Sequence, residues 1–191
     1  MKQKNKTVAR LGTVFSRMVA NANTRGEQWR NIILGREAFA LMNELPDVLA
    51  GEYGTPEEKA ELLDQMLGQM NEFDTPRFSI GVRQEIARLN PADEDNARVL
   101  QQLRDFIDES LPMEDYCRKY RRMLHFDPVE RSARYEEVIA DVEAEVAREL
   151  EEQPRGMGFC FAYWSAKGAA LRRRGIAWDS PHLMNPGVMF D

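Results

Sequence analysis

Apolar residues recur along this chain at spacings of three and four, and nowhere do they alternate with period two long enough to build a strand. Val8, Leu11, Phe15, Met18 and Val19 predict a first helix; Trp29, Ile32, Ile33, Phe39, Leu41 and Met42 predict a second that ends near Leu45-Pro46. Leu62, Leu63, Met66, Leu67 and Met70 form the stripe of a third. Residues 76–89 read as a fourth, with Gly81 inside it, and Val99, Leu100, Leu103, Phe106 and Ile107 give a fifth, closed by Leu111-Pro112. Tyr116, Tyr120, Met123 and Leu124 line a short sixth. Tyr135, Val138, Ile139, Val142, Val146 and Leu150 line a long seventh over 128–152, and an eighth runs from Phe159 to Arg174. The expected fold is all-α, a compact bundle of about seven or eight helices.

Prolines punctuate that pattern. Thr55-Pro56, Thr75-Pro76, Asn90-Pro91, Asp127-Pro128 and Ser180-Pro181 each place a side chain able to accept a backbone N–H directly before a residue that lacks one, which predicts five helix starts. Glu58 and Glu130 sit where they complete capping boxes with Thr55 and Asp127. At the other end of the eighth helix, Arg172, Arg173 and Arg174 fall in the last turn, and Gly175 is placed for a left-handed cap. That position explains the arginine triplet structurally, because three adjacent helical residues fan around the axis and do not face one ligand.

After Gly175 the period is lost. Ile176, Trp178, Leu183, Met184, Val188, Met189 and Phe190 are spaced irregularly around Pro181 and Pro186, which predicts an extended strap laid across helices. The aromatic density from Phe159 to Phe190 marks this end as folded, since apolar burial is what offsets the ordering entropy of a chain. A chain of 191 residues fits one large domain, 1–191, with a possible sub-boundary at 46–55.

Charge is unevenly spread. The formal net charge is −6, yet residues 1–36 carry eight Lys or Arg against Glu27 alone, while 37–111 carry seventeen acids and six bases. The simpler reading pairs a basic first helix with acidic later ones. The sharper alternative is a nucleic-acid contact through Lys2, Lys4, Lys6, Arg10 and Arg17, in which neutralised phosphates release counterions. No apolar run approaches the ~20 residues of a membrane span. The basic N-terminus has its apolar positions interrupted by Arg10, Ser16 and Arg17, so no export signal is expected.

Candidate chemistry is sparse. Two histidines, His125 and His182, and two cysteines, Cys117 and Cys160, form neither HExxH nor a paired-cysteine motif, so no metal and no cofactor is expected. The glycines make no phosphate-binding loop. A thiol or acid-base enzyme would have to pair Cys117 with His125, or Cys160 with His182 and an orienting Asn185 or Asp179. No catalytic residue is assigned, because Phe159 and Phe161 around Cys160 argue for a desolvated thiol.

One resemblance adds to this. From HFDPVERSARYEEVI onward, and most clearly in PRGMGFC and SPHLMNPGVMFD, residues 125–191 resemble the C-terminal signature of a family of small all-α proteins of gut-type bacteria. The resemblance implies a bacterial, cytoplasmic protein and carries no activity or site residue with it. Together these readings lead to a non-enzymatic cytoplasmic helical protein that works by protein–protein interaction or as a scaffold. Its candidate groove or interface comprises Trp164, Trp178, His182, Met184 and Phe190. The sequence fixes neither the partner nor the oligomeric state.

Overall fold

Residues 2–47 and 55–190 are described by the computed structural model of the chain, with side chains from residue 6 onward. Every regular element among them is helical: α1 (Lys2–Asn23), α2 (Asn31–Asn43), α3 (Pro56–Leu67), α4 (Pro76–Leu89), α5 (Glu94–Ile107), α6 (Met113–Lys119), α7 (Ala133–Glu149), α8 (Phe159–Arg173) and α9 (Pro181–Met184). Two 3-10 turns, Gln28–Arg30 and Pro128–Arg131, precede α2 and α7. The fold is all-α, and the strap after Gly175 is irregular except for the single helical turn of α9 and a tight turn at 185–188.

The chain divides into two compact units, Met1–Arg104 and Asp105–Asp191, each described by itself below. The division falls inside α5, so no proline, glycine or charge run marks it in the sequence. Most of the 46–55 stretch read as a sub-boundary, residues 48–54, lies outside the described residues.

In the N-terminal unit α1 packs on α2, α2 on α3, and α3 on α4. The core takes Leu11, Val14 and Met18 from α1, Leu34, Ala38, Leu41 and Met42 from α2, Leu63, Met66 and Leu67 from α3, and Val82, Ile86 and Leu89 from α4. Val19, expected on the stripe of α1, is 44% exposed, and Val14 takes the inward place. Two buried polar side chains tie these helices together. Asn31, fully buried, donates to Met18 O at 2.9 Å and Gln69 O at 2.8 Å, and accepts from Asn21 Nδ2 at 3.0 Å. Arg83 grips Glu72 with two parallel bonds, 2.9 and 2.6 Å, and reaches Asp64 Oδ1 at 2.6 Å and Asn96 Oδ1 at 3.3 Å. Bidentate, buried arginine pairs of this kind fix geometry as well as energy.

The helix starts show which punctuation held. Thr55 and Glu58 form the full capping box on α3. Thr75 precedes Pro76 as expected but makes no cap hydrogen bond. Asn90 instead ends α4, with its N–H on Ile86 O at 2.8 Å, and α5 is capped three residues later by Asp93, which accepts from Asn96 N at 2.8 Å. Gly81 in α4 has open space where a Cβ would stand. Gly81→Ala is therefore expected to raise stability by about 0.5–1 kcal/mol through helix propensity, read as a higher urea midpoint at unchanged slope.

In the C-terminal unit the long helix expected over 128–152 is shorter. Asp127 caps only the 3-10 turn, accepting from Val129 N at 2.8 Å, and Ser132 caps α7, accepting from Tyr135 N at 3.2 Å. The interruption has a cause in Arg131, 3% exposed, whose guanidinium donates to four backbone carbonyls: Asp105 at 3.1 Å, Leu111 at 2.8 Å, Phe106 and Asp108. These belong to the last turn of α5 and the turn beyond it, where a helix leaves carbonyls without intrahelical partners and its dipole favours a cation. Beside them Phe106, Tyr116 and Phe126 make a ring cluster, with centroids 5.0–5.8 Å apart. Met123 and Leu124 do not continue the stripe of α6: that helix ends at Lys119, Arg121 adopts φ 51°, and both side chains are exposed.

Helices α7 and α8 pack against each other through Tyr135, Ile139, Val142 and Val146 on one side and Ala166, Ala170 and Leu171 on the other. The end of α8 is a Schellman motif: Ile176 N donates to Leu171 O at 3.0 Å, Gly175 N to Arg172 O at 2.9 Å, and Gly175 takes φ 72°. Arg173 and Arg174 both hold Glu145 of α7, and Ile176 is buried where the strap begins.

Candidate interaction surface

The strap has two sides. Its inner side starts at buried Ile176, which sets Trp178 against α8. Gly168 of α8 faces the indole, and a Cβ there would stand in ordinary contact with it at 3.7 Å. The indole Nε1–H donates to Glu130 Oε1 at 2.7 Å. The Lys167 ammonium lies 5.5 Å from the same ring and 5.6 Å from the rings of Tyr135 and Tyr163, a three-sided aromatic cage of the sort that stabilises a desolvated cation. Lys167 is paired with Glu143 Oε1 at 3.0 Å, and the Tyr163 hydroxyl donates to the same oxygen at 2.6 Å. Burial, together with Glu143, pushes the Tyr163 hydroxyl well above its usual range, so it is a structural donor and not an acid.

Further along, Asp179 N donates to Asp127 Oδ2 at 2.5 Å. Asn185 then binds the main chain of His125 in both directions, accepting from its N–H at 2.8 Å and donating to its carbonyl at 2.9 Å, while also donating to Pro181 O at 2.8 Å. One carboxyl in this inner set is costly. Burial raises the pKa of Glu130 and Asp127 adds to the rise, although the Trp178 N–H, Lys167 and Arg122 favour its charged form. A carboxyl whose folded pKa lies above the unfolded value of about 4.3 contributes stability in acid and loses it as pH rises through the folded pKa. Glu130→Gln keeps an acceptor for Trp178 without the charge. It is expected to be at least as stable as the parent at pH 7 and to lose that advantage near pH 4. Chemical denaturation across pH checks this, and a variant less stable at neutral pH whose deficit closes in acid would refute it.

The outer side is apolar. Phe161 and Trp164 of α8 meet His182 and Phe190 of the strap edge to face, with Phe161–Trp164 centroids at 5.5 Å, Phe161–His182 at 5.5 Å, Trp164–Phe190 at 5.1 Å and His182–Phe190 at 6.2 Å. Leu183, Val188 and Met189 of the strap are exposed, and so is Met157, two residues before α8. Met123 and Leu124 join them through the neighbouring His125 that Asn185 binds. With Phe161 these make seven of the nine large hydrophobics exposed among the described residues, all seven in the C-terminal unit. Monomeric proteins rarely gather exposed apolar side chains in this way.

Of the five residues predicted for an interface, Trp164, His182 and Phe190 come together, with Phe161 as the fourth ring that the sequence reading had used only as a neighbour of Cys160. Trp178 belongs to the inner side, and Met184 is half-buried. The nucleic-acid candidates divide differently. Arg10 is paired with Glu37 of α2 at 2.7 Å, Lys6 and Arg17 are exposed, and the side chains of Lys2 and Lys4 lie outside the described residues. The two thiols are free of disulfides. Cys117 is buried against Met113 Sδ and Leu124 O, and burial pushes its pKa up, against nucleophilic use. Among the described residues no cluster of three His, Cys, Asp or Glu could hold a metal ion, and no helix is long and apolar enough to cross a membrane.

Comparison of the chain with protein-family models, curated proteins and solved structures finds no match.

Proposed function

We propose that this chain is a non-enzymatic protein-binding module of the bacterial cytoplasm, and that it grips its partner with the outer side of the C-terminal strap. The carrying observation is the strap's sidedness. Trp178 Nε1, Asp179 N and the Asn185 amide are spent inward on Glu130, Asp127 and His125, while Leu183, Val188 and Met189 of the strap, and Phe161 of α8 beside His182, are left in water. Methionines suit such a surface, because a flexible, polarisable side chain repacks against varied shapes, and a Trp and Phe at its centre supply anchors. Two free cysteines fit a reducing compartment.

Removing the strap would be a poor test, since Ile176 and Trp178 also seal the unit. The double substitution Leu183→Glu/Met189→Glu changes only exposed side chains and should leave the melting temperature unchanged. Proteins retained by the parent and the variant are compared quantitatively in lysate of the native cell. The proposal expects partners that are lost with the double glutamate; the same set at the same abundance on both would refute it.

A further inference from the structure

Methionine is among the residue types most often buried, and the N-terminal unit follows that rule, with Met18, Met42, Met66 and Met70 all inside it. The C-terminal unit breaks it. Met123, Met157 and Met189 are 93–95% exposed, so their sulfurs are open to any small solute. Met189 differs from the other two in its place. It stands on the strap between Val188, whose N–H closes a turn onto Asn185 O at 3.2 Å, and Phe190, whose ring meets Trp164 and His182. Backbone anchored on both sides thus presents a bare thioether on the same strap as exposed Leu183 and Val188. Leucine would offer the same apolar contact there, and what the sulfur adds is a lone pair able to take up oxygen.

We propose that Met189 is a site of reversible oxidation to the sulfoxide by peroxide, and that this change releases what the strap surface binds. The sulfur lone pair attacks one oxygen of hydrogen peroxide, so that an S–O bond forms as the O–O bond breaks. The departing hydroxide takes the proton left on the transferred oxygen and becomes water. Sulfur loses two electrons and the peroxide gains them. A dithiol reductant reverses the step, removing the oxygen as water and ending as a disulfide.

The product replaces a flexible apolar chain with a polar, chiral acceptor. Burying that acceptor against an apolar partner that offers no donor weakens the contact about tenfold or more. The fold is spared, because the core methionines are closed to the oxidant. Cys117 is a poor competitor, since it is buried and burial keeps it in the less reactive thiol form. The oxidation stands on the exposure of Met189, whereas the release rests on the binding role proposed above for the strap.

The full chain is treated briefly with hydrogen peroxide, freed of it and mapped by peptide mass. Met189 is expected to gain one oxygen, as are Met123 and Met157, while Met18, Met42, Met66 and Met70 stay unmodified and the melting temperature is unchanged. The second readout is the set of lysate proteins that the parent retains and Leu183→Glu/Met189→Glu loses. That set is expected to fall about tenfold or more on the oxidised parent and to return after treatment with methionine sulfoxide reductases and a dithiol. Oxidised Met123→Leu/Met157→Leu should lose it too, and Met189→Leu should keep it through oxidation. Met189 left unmodified, retention that survives its full oxidation, or equal loss on oxidised Met189→Leu would overturn the proposal, the last by placing the sensitive group elsewhere. A parent that retains no strap-dependent protein at all would refute the binding role, and the release with it, while the peptide map still decides the oxidation.

Discussion

Replacing Arg131 with methionine is expected to destabilise the C-terminal unit by about 3–5 kcal/mol, most of what a domain of this size has available. The side chain is 3% exposed, and its guanidinium donates to the carbonyls of Asp105, Phe106, Asp108 and Leu111, with the Asp108 carboxylate close enough to feel its charge. Methionine fills the volume but withdraws a donor from each of these carbonyls; Asp108 O keeps the N–H of Leu111, while the more buried carbonyls lose a charged donor, at a cost of about 1–3 kcal/mol each before relaxation. Arg131→Lys should fall between, because an ammonium is a compact donor that does not span a planar fan of acceptors. Trp164 and Trp178 both lie in this unit, so the urea transition of their fluorescence reports it, with Trp29 of the N-terminal unit replaced by Phe. A methionine variant within 1 kcal/mol of the parent would show that water serves these carbonyls as well as the arginine does.

Lys167→Met is expected to cost a similar amount, about 3–5 kcal/mol, for the opposite reason: it strands a charge. Glu143 and Lys167 expose about a tenth of their side chains each, and Tyr163 also donates to the carboxylate. Removing the ammonium takes the cation from a poorly solvated Glu143 carboxyl and empties the cage of Tyr135, Tyr163 and Trp178. The double variant Glu143→Gln/Lys167→Met should be more stable than Lys167→Met alone, because a neutral amide still accepts from Tyr163 and position 143 no longer carries a charge that needs the ammonium. Additive losses across that cycle would mean the pair is not coupled.

How much of this the sequence disclosed follows from the range of each interaction. The cap of α3 depends on Thr55 and Glu58 alone, and the end of α8 on Leu171 to Ile176, so both were legible from neighbouring residues. The start of α5 was misplaced from Asp93 to Asn90 because both are competent caps followed by plausible first turns, and only the end of α4 decides that Asn90 is already used. The long seventh helix was misjudged for a tertiary reason. Its start was read from the Asp127-Pro128 pair, a competent cap, but Arg131 binds carbonyls more than twenty positions away, and the chain breaks at Ser132 between the 3-10 turn and α7. Of the surface, the strap's irregular apolar spacing was readable, and three of the expected residues do meet. Which side of the strap each would occupy was not readable, since the Trp178–Glu130 and Asn185–His125 bonds span 48 and 60 positions.

The arginine that reaches into the end of α5 also dictates how the chain can be cut. A fragment beginning at Asp105 would separate the carbonyls of Asp105 and Phe106 from the helix that presents them, and Arg131 would hold a frayed stub. The smallest piece able to display the strap for binding work therefore begins at the Asp93 cap, twelve residues before the geometric boundary.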